Sequence, residues 1–225
     1  MQVIVLADGA VAPRDRIDAA WPGWAHQDAR VVAADGGARN GPSLGLPIDR
    51  WVGDGDSLGE AGLEALRRAG IPIELTPAEK DESDTELAVL AALAMGASEV
   101  VIVGGLGGPR LDHTLANVGL LCLPALAAID ARLVADDVRL RVLTAGDDGG
   151  RARVDLEGGV GDLVSLLPIG ADAEGVTTEG LRFALHDERL GLGRTRGLSN
   201  VRQSALARVA LRRGRLLVVE VPARL

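Results

Sequence analysis

The chain has 225 residues and a mass of 23.2 kDa, with 47% apolar and 25% charged residues, so it is long enough for one or two folded domains and is not a disordered chain. Its net charge is −8, with −9 in the first 146 residues and +1 in the remainder, so neither part offers the basic surface that nucleic acid requires. No apolar run approaches the roughly 18–20 residues of a membrane-spanning helix, which argues against a membrane protein. The single cysteine, Cys122, excludes an internal disulfide and a cysteine-based zinc site, and it indicates a reducing, cytoplasmic location.

Short β-branched runs alternate with helical patterns in the first two-thirds of the chain. The start, MQVIVLADGA, has no basic segment and is interpreted as a first strand rather than a signal peptide. Strands are predicted at residues 3–7, 31–34, 51–52, 73–75, 100–103, 133–135 and 140–143. GEAGLEALRRAG, DTELAVLAALAMG and LDHTLANVGLLC have apolar residues at helical spacing, and the first two end at Gly70 and Gly96. The alternation predicts an open, mostly parallel α/β domain.

The last third of the chain has a different rhythm. TAGDDGG, residues 144–150, is the predicted boundary between a domain at residues 1–145 and a second at 146–225. Beyond it, short strand-like runs such as RVDL, LVSLL, LRFAL and RLLVVEV are separated by glycine-bearing turns, and Arg213 with Gly214 forms a predicted hairpin turn. The pattern predicts a small antiparallel β-sandwich. So few residues make a thin independent core, so we expect this domain to dock against the first domain or a second copy.

Four acidic clusters follow strands or precede helices of the predicted α/β domain. Asp35 follows the second strand in AADGG, Asp54 and Asp56 lie in GDGDS, Asp84 ends KDESD, and Asp112 follows GGLGGPRL. Ligands of open α/β sheets bind at the carboxyl ends of the strands, where these segments should meet. Carboxylates gathered there would repel one another unless a divalent cation neutralised them. The sequence therefore predicts a metal site that holds a phosphate-bearing ligand.

Each cluster also has an ordinary alternative. Asp56, Asp84 and Asp112 are all candidates for helix N-caps, and part of the acidic excess is typical of a solvated surface. Glycine-rich turns such as GGLGG end many strands. No G-x-x-x-x-G-K-[ST] or G-x-G-x-x-G pattern opens a helix, so neither the ordinary P-loop nor the dinucleotide fingerprint is present. His113 is interpreted as a polar residue of a first helical turn.

Two residue types occur once each. Lys80 is the only lysine among 24 basic residues, and Phe183 is the only phenylalanine in a chain without tyrosine. A lone lysine in EKDESD indicates a place where a compact, flexible ammonium is needed, although a surface residue kept by chance is the alternative. The segment is polar, so we expect it to be exposed. LRFAL alternates, which allows the ring of Phe183 to face outward.

The ordered set AADGG, VGDGDS, EKDESDTELA, GGLGGPRLDHTLAN, VTTEGLRFAL and GLSN resembles the thiamine pyrophosphokinase family over nearly the whole chain. The resemblance implies an α/β nucleotide-binding domain followed by a β-sandwich, and a homodimer whose thiamine cleft is shared between subunits. It also implies an Mg²⁺-dependent transfer of pyrophosphate from ATP to the thiamine hydroxyl, with release of AMP. Pro109 departs from the family pattern, as one extra residue in the loop before Arg110.

The resemblance also implies roles for particular residues. Asp54, Asp56 and Asp84 resemble the magnesium ligands, and Asp112 a further acidic group of the active site. Substrate-binding roles are implied for a second set: Asp35, Lys80, Arg110, Phe183, Ser199 and Asn200. Within that set Lys80 and Arg110 would meet phosphate, Phe183 would cover thiamine, and Ser199 and Asn200 would meet its pyrimidine ring.

The chemistry of the transfer leaves one role and two rival functions open. Moving a pyrophosphoryl group depends mostly on positioning and on charge stabilisation, and either Asp84 or Asp112 is a candidate to accept the hydroxyl proton. One rival is a related pyrophosphokinase acting on a pterin alcohol, against which the GLSN-bearing β-sandwich argues. The other is a non-catalytic thiamine-binding protein, which would not need the full set of metal carboxylates.

Overall fold

The computed structural model describes residues 1–146, 150 and 152–223. Contacts divide the chain into two units. The first comprises Met1–Leu120 and Asp130–Asp136, and the second comprises Leu121–Ile129 and Asp137–Leu225. Within the described residues, none of the helices has both the length and the hydropathy needed to cross a bilayer.

The first unit is built on a parallel sheet with helices between its strands. The strands are β1 (Gln2–Leu6), β2 (Arg30–Ala34), β3 (Arg50–Gly53), β4 (Ile73–Leu75), β5 (Glu99–Val103) and β6 (Asp130–Val134). The helices are α1 (Arg14–Ala20), α2 (Asn40–Leu44), α3 (Gly59–Arg68), α4 (Asp84–Ala94) and α5 (Leu111–Leu120). The strand order within the unit is β6-β5-β1-β2-β3-β4, and every neighbouring pair is parallel.

The central strands of this sheet are apolar after their first residue because both faces are covered. β1 and the last four residues of β2 and β5 are buried, as is expected of strands with a layer on either side. The chain runs outward from β1 through β2 to β4 and then resumes on the other side of β1 with β5. This reversal makes the gap between β1 and β5 the switch point of the sheet, where open α/β folds bind ligands.

The second unit contains two antiparallel sheets. Its strands are β7 (Arg139–Ala145), β8 (Arg153–Glu157), β9 (Leu163–Pro168), β10 (Ala173–Glu179), β11 (Glu188–Leu190), β12 (Asn200–Val201), β13 (Leu206–Ala210) and β14 (Gly214–Val221). Within this unit the orders are β12-β9-β14-β7 and β11-β10-β13-β8. β8 and β9 alternate buried and more exposed residues, so each sheet contributes one face to a common apolar core. The predicted α/β plus β-sandwich fold is confirmed.

The described residues also correct three details of the sequence interpretation. β7 pairs with β14, so the contacts divide the chain at Asp136, earlier than the predicted boundary at 145/146. Residues 147–149 of the predicted boundary turn lie outside the described residues. The hairpin at Arg213 and Gly214 is wrong, because β13 pairs with β8 and β10 whereas β14 pairs with β7 and β9. LRFAL is not a strand, and only Leu181 forms a β-bridge.

Glu220 on β14 is the charged centre of the β-sandwich unit. It is 1% exposed, and it accepts hydrogen bonds from Arg139 Nε and Nη2 at 2.9 and 2.8 Å and from Arg202 Nη2 at 3.1 Å. The guanidinium of Arg141 lies 3.5 Å from the same carboxylate. Burial is the main influence on the pKa of Arg202 and lowers it, while Glu220 opposes that shift. One carboxylate thus holds several buried guanidinium groups together.

Replacing Glu220 should therefore destabilise the protein far more than replacing an exposed acid. Glu220→Ala leaves buried guanidinium groups without their anion, and we expect the free energy of unfolding to fall by about 3–5 kcal/mol. Glu179→Ala, which removes a carboxylate 3.5 Å from the exposed Arg208, should leave it nearly unchanged. Urea unfolding followed by circular dichroism compares the two variants. Equal unfolding midpoints would show that the buried cluster contributes no more than a surface pair.

Candidate functional site

A cleft lies at the carboxyl edge of the parallel sheet, at the switch point between β1 and β5. Its volume is about 330 Å³. Its walls come from the segments after β1, β2 and β5, from the loop before α4 and from the start of α5. The polar residues that line it are Asp8, Asp35, Ser57, Lys80, Glu82, Ser83, Asp84, Thr85, Arg110, His113, Thr114 and Asn117.

Glycine backbone forms one wall of this cleft because the loops after β1 and β5 are in direct contact. The amide of Gly9 donates a hydrogen bond to the carbonyl of Gly104 at 2.9 Å. Gly104 has a φ of +75°, and a Cβ there would lie 2.4 Å from the carbonyl oxygen of Ala7. Only glycine both adopts this positive φ readily and leaves room for the carbonyl oxygen of Ala7. The GGLGG turn therefore brings backbone, rather than side chains, up to the ligand space.

Three carboxylates from different loops converge beside the cleft. Asp35 follows β2, Asp54 follows β3, and Asp84 is the first residue of α4. One oxygen of each carboxylate lies within 4.8 Å of the other two. Asp35 is 3% exposed, whereas Asp54 and Asp84 are half-buried. The predicted convergence of these segments at one sheet edge is what the structure shows.

Asp35 anchors the loop that carries Asp54. Its carboxylate accepts hydrogen bonds from the amides of Ser57 and Leu58 at 3.0 and 3.2 Å, and its carbonyl accepts one from the indole of Trp51 at 2.9 Å. Asp35 has a φ of +39°, which is unusual for a residue other than glycine and costs free energy. The sequence placed Asp35 among the carboxylates of the predicted metal site, and the family resemblance implied a substrate-binding role, whereas the structure also makes it the support of GDGDS.

Lys80 joins two of the carboxylates. Its ammonium lies 3.1 Å from Asp54 Oδ2 and 3.0 Å from Asp84 Oδ1, and it donates to the carbonyl of Pro77 at 3.2 Å. Burial alone would lower the pKa of Lys80, but hydrogen bonding and attraction to the two carboxylates raise it above its ordinary value. Most of the EKDESD segment is exposed, as expected, but the side chain of Lys80 itself is only 12% exposed.

Asp54 and Asp56 differ although they belong to one turn. The amide of Asp56 donates to Asp54 Oδ1 at 3.0 Å, and this hydrogen bond is the main reason why the pKa of Asp54 is lowered. Desolvation opposes the shift, and Lys80 adds to it. The side chain of Asp56 is exposed and lies outside the group formed by Asp35, Asp54 and Asp84. Its role as a metal ligand stays a prediction.

The N-cap alternative is wrong for two of the aspartates. α3 begins at Gly59 and has Leu58 at its N-cap position, so Asp56 lies before the cap. α4 is capped by Ser83, whose hydroxyl accepts a hydrogen bond from the amide of Glu86 at 3.2 Å. Asp84 is therefore free to turn its carboxylate towards Lys80.

Arg110 and Asp112 form an ion pair at the start of α5. The guanidinium donates through Nε to Asp112 Oδ1 at 3.1 Å and through Nη2 to Oδ2. This pairing is the main cause that lowers the pKa of Asp112 to about 2. Both side chains are 64% exposed; Arg110 lines the cleft, whereas Asp112 is outside its wall. A carboxyl group with such a low pKa is a weak proton acceptor.

The acidic group fits a divalent cation. Asp84 Oδ1 is buried and, although near the Lys80 ammonium, makes no well-directed hydrogen bond within the described residues. Three carboxylates face a single ammonium, which leaves an excess of two negative charges. Clustered carboxylate oxygens are ligands that Mg²⁺ prefers. Both oxygens of Asp35 accept backbone amides, and those of Asp54 accept from the Asp56 amide and the Lys80 ammonium. Asp84 Oδ1 is therefore the oxygen of this group that is most open to a cation.

The remaining predicted residues lie in the β-sandwich unit. The ring of Phe183 is 61% exposed, as expected, and the guanidinium of Arg182 lies 5.5 Å from its centroid. Ser199 is exposed and Asn200 is 7% exposed. Their roles towards thiamine stay predictions.

Two asparagines that the sequence reasoning passed over support the cleft. Asn40 Nδ2 donates to the carbonyls of Ala7 and Gly9 at 2.8 and 3.1 Å, and Asn117 Nδ2 donates to the carbonyl of Gly105 at 2.9 Å. Both fix the loops that follow β1 and β5. Asn117 gave a usable signal, because a poor helix former in the apolar run of α5 needs a partner when buried. No such signal marked Asn40, because the carbonyls that it contacts are distant in sequence.

A cleft with backbone on one wall and carboxylates beside it suits the transfer of a phosphate group from a nucleotide, and an α/β phosphotransferase with an added β-sandwich is the class that this fold defines. Comparison with known proteins narrows the class. The model of the thiamin pyrophosphokinase catalytic domain matches residues 22–133, and that of the thiamin pyrophosphokinase vitamin B1 binding domain matches residues 152–216. The chain belongs to the thiamin pyrophosphokinase family, whose members are ATP-dependent enzymes.

Individual relatives agree with this assignment. The thiamine pyrophosphokinase of Bacillus subtilis (strain 168) is 27% identical over 156 residues, which are 69% of each chain. Thiamine pyrophosphokinase 2 of Oryza sativa subsp. japonica is 31% identical over 103 residues, 45% of this chain and 36% of that protein. The fold is similar to the crystal structure of the Bacillus subtilis enzyme, with a TM-score of 0.80, 23% identity and 99% of both chains covered. The Geobacillus thermodenitrificans structure gives the same TM-score and identity, covering 98% of this chain and 97% of that one.

The site leads to a prediction about the only lysine. Lys80→Arg keeps the charge but places a wide planar group where an ammonium touches Asp54, Asp84 and a carbonyl. We expect kcat to fall by about 10²-fold, because the carboxylates must move by roughly 1 Å to admit it. Arg67→Lys, an exchange at an exposed position of α3, should leave kcat unchanged. Wild-type kinetics for Lys80→Arg would show that the ammonium has no special role.

Proposed function

We propose that this chain transfers the terminal pyrophosphoryl group of ATP to the hydroxyl of thiamine, with Mg²⁺ as cofactor, and releases AMP. We further propose that it acts in the cytoplasm as a homodimer with a shared thiamine site. The observation that carries the mechanism is the group of Asp35, Asp54 and Asp84 around Lys80, beside a glycine-lined cleft. Family membership supplies the substrates.

ATP is proposed to bind with its phosphates along the cleft wall. The GGLGG turn allows close approach, and the guanidinium of Arg110 and the ammonium of Lys80 line the same space. Both cations can donate to phosphate oxygens. A triphosphate brings several negative charges to an edge that is already acidic, so these cations alone do not neutralise the site.

Asp54 and Asp84 would hold the cofactor, and Asp56 is proposed as a further ligand from the same turn. Bound there, Mg²⁺ would offset the charge of the triphosphate and of the carboxylates. Asp35 would keep the Asp54 turn in place through the amides of Ser57 and Leu58. Lys80 would orient the carboxylates of Asp54 and Asp84.

The thiamine hydroxyl has to lose a proton as its oxygen bonds to the β-phosphorus of ATP. Asp112 is a weak acceptor because Arg110 lowers its pKa to about 2. Asp84, whose carboxylate lies 3.0 Å from the ammonium of Lys80, is therefore proposed as the acceptor of the two. Asp112 would then act mainly by orienting Arg110.

Phe183 is the proposed cover of the thiamine ring. Its exposed face suits a cationic thiazolium, because an aromatic face attracts positive charge. A ring that is 61% exposed gains most when another surface covers it, and in a homodimer that surface is the thiamine held by the partner subunit.

One incubation tests the proposal. The protein is mixed with ATP, Mg²⁺ and either thiamine or a pterin alcohol, and the products are separated. Thiamine diphosphate and AMP in equal amounts support the proposal. Turnover of the pterin alcohol alone would indicate the related pyrophosphokinase, and thiamine binding without AMP release would indicate a non-catalytic binding protein.

The metal role of Asp54 gives a second prediction. Asp54→Asn keeps the shape of the side chain and removes its charge, so activity should fall by about 10²–10⁴-fold. Asp28→Asn, an exposed acid elsewhere in the same unit, should keep wild-type activity. Asp56→Asn is assayed beside them at saturating Mg²⁺. Near-normal turnover of Asp54→Asn would remove it from the proposed metal site, and the same result for Asp56→Asn would remove that residue alone.

The proposed contact between Phe183 and the thiamine ring gives a third prediction. Phe183→Ala should raise the thiamine KM by an amount equivalent to about 1–3 kcal/mol and leave the ATP KM nearly unchanged. Leu206→Ala, which removes another exposed apolar side chain of the same unit, should change neither. Mixing Phe183→Ala with Asp54→Asn chains then tests the shared site, because each hybrid dimer would contain one intact site. Hybrids that form but show only the raised thiamine KM of Phe183→Ala would show that the site belongs to one chain.

A further inference from the structure

The side-chain amide of Asn200 is hydrogen-bonded to the backbone of Phe183 on both sides of that residue. Asn200 Nδ2 donates to the carbonyl of Phe183 at 2.7 Å, and Asn200 Oδ1 accepts from the amide of Phe183 at 2.9 Å. The same Oδ1 also accepts from the amide of Val201 at 2.9 Å. Asn200 is 7% exposed. Its oxygen therefore already has two partners, and its nitrogen has one.

These bonds continue a short antiparallel pairing. Leu181 forms a β-bridge with Arg202, and the amide of Arg182 donates to the carbonyl of Val201 at 2.8 Å. The next pair in this direction would join Phe183 to Asn200, and here the side-chain amide replaces the backbone partner. LRFAL is not a strand, so this contact is what extends the pairing to Phe183. The ring of Phe183 is left 61% exposed.

Ser199 has the opposite environment. Its side chain is exposed, and its hydroxyl makes no hydrogen bond within the described residues. Its φ of +54° is unusual for serine, and its amide donates to Ser165 Oγ at 3.0 Å. The family resemblance gave Ser199 and Asn200 the same role, but their environments differ. The hydroxyl of Ser199 is available to a ligand, whereas the side-chain amide of Asn200 is already hydrogen-bonded to Phe183.

We infer that Asn200 is a positioning residue that acts through Phe183, and that Ser199 is the member of the pair that meets the substrate directly. Asn200 fixes the backbone of Phe183 so that its ring stands ready to cover the thiamine. The inference rests on the proposed function for the identity of the ligand. The contact between Asn200 and Phe183 does not depend on the proposed function, so the positioning role and the proposed function can be tested separately.

The first test reports on the ring without any substrate. Phe183 is the only phenylalanine, so growth on 4-fluorophenylalanine places a single fluorine label in the chain. We expect one ¹⁹F resonance in the wild type, and a shift towards free 4-fluorophenylalanine in Asn200→Ala. Asn200→Asp keeps an acceptor oxygen but places a second oxygen against the carbonyl of Phe183, where the amide now donates at 2.7 Å, so its resonance should move as well. An unchanged resonance in a folded Asn200→Ala protein would overturn the inference.

The second test is a double-mutant cycle on thiamine KM. If Asn200 acts through the ring, Asn200→Ala should raise thiamine KM about tenfold in the wild type and have almost no effect in Phe183→Ala, with the ATP KM constant throughout. Ser199→Ala, as a direct contact, should have the same effect in both backgrounds. Full additivity of Asn200→Ala and Phe183→Ala would instead identify Asn200 as a direct contact.

Failure of the proposed function has a different signature. If thiamine neither shifts the ¹⁹F resonance of the wild type nor is turned over, the proposed ligand is wrong. If the ¹⁹F resonance of Asn200→Ala still differs from that of the wild type, the positioning role of Asn200 remains supported. If thiamine is turned over normally but Asn200→Ala leaves the resonance in place, the positioning role alone is wrong. Asn200→Asp covers the case in which Asn200→Ala does not fold.

Discussion

The first unit is organised around the problem of holding three carboxylates within 4.8 Å of one another. Each has a different local solution. Asp35 is neutralised in part by two backbone amides, Asp54 accepts the amide of Asp56, and Asp84 lies beside the ammonium of Lys80. Because these partners come from separate loops, the acidic group also joins the loops after β2, β3 and β4. The strained backbone of Asp35 persists because Trp51, Ser57 and Leu58 all hold it.

The β-sandwich unit also holds like charges together through a group of opposite charge, but here guanidinium groups surround a carboxylate. Glu220 is a buried anion that accepts from the guanidinium groups of Arg139 and Arg202. The Glu220 cluster is buried and serves packing, whereas the acidic group of the α/β unit lies at the ligand edge. A chain that uses arginine for nearly every basic position suits both tasks, since guanidinium groups bind carboxylates in pairs of hydrogen bonds. The ammonium of Lys80 is kept for the one place where a compact cation must touch two acids.

Much of this arrangement could be predicted from the sequence because it depends on short-range patterns. Apolar runs identify β1, β2 and β5, and the rule that ligands bind at the carboxyl ends of strands brings Asp35, Asp54 and Asp84 to one edge. What could not be predicted depends on contacts between distant segments. The burial of Lys80, the support that Asp35 gives to Ser57 and the pairing of Asn200 with Phe183 all need the folded chain. The hairpin prediction at Arg213 and Gly214 was wrong for the same reason. A glycine turn has the same sequence pattern whether it joins two strands of one sheet or strands of two different sheets.

The pairing of β7 with β14 has a consequence for dissecting the molecule. Residues 146–213 separate these strands in sequence. The chain enters the second unit at Leu121, returns to the first at Asp130 and leaves it again at Asp137. The two units are thus interleaved along the polypeptide rather than joined by one linker. A fragment cut after Ala145 would carry β7, which is largely buried in the whole chain, with its edge open and its partner β14 missing. Such edges recruit other chains, so neither half of this enzyme can be obtained cleanly by a single truncation.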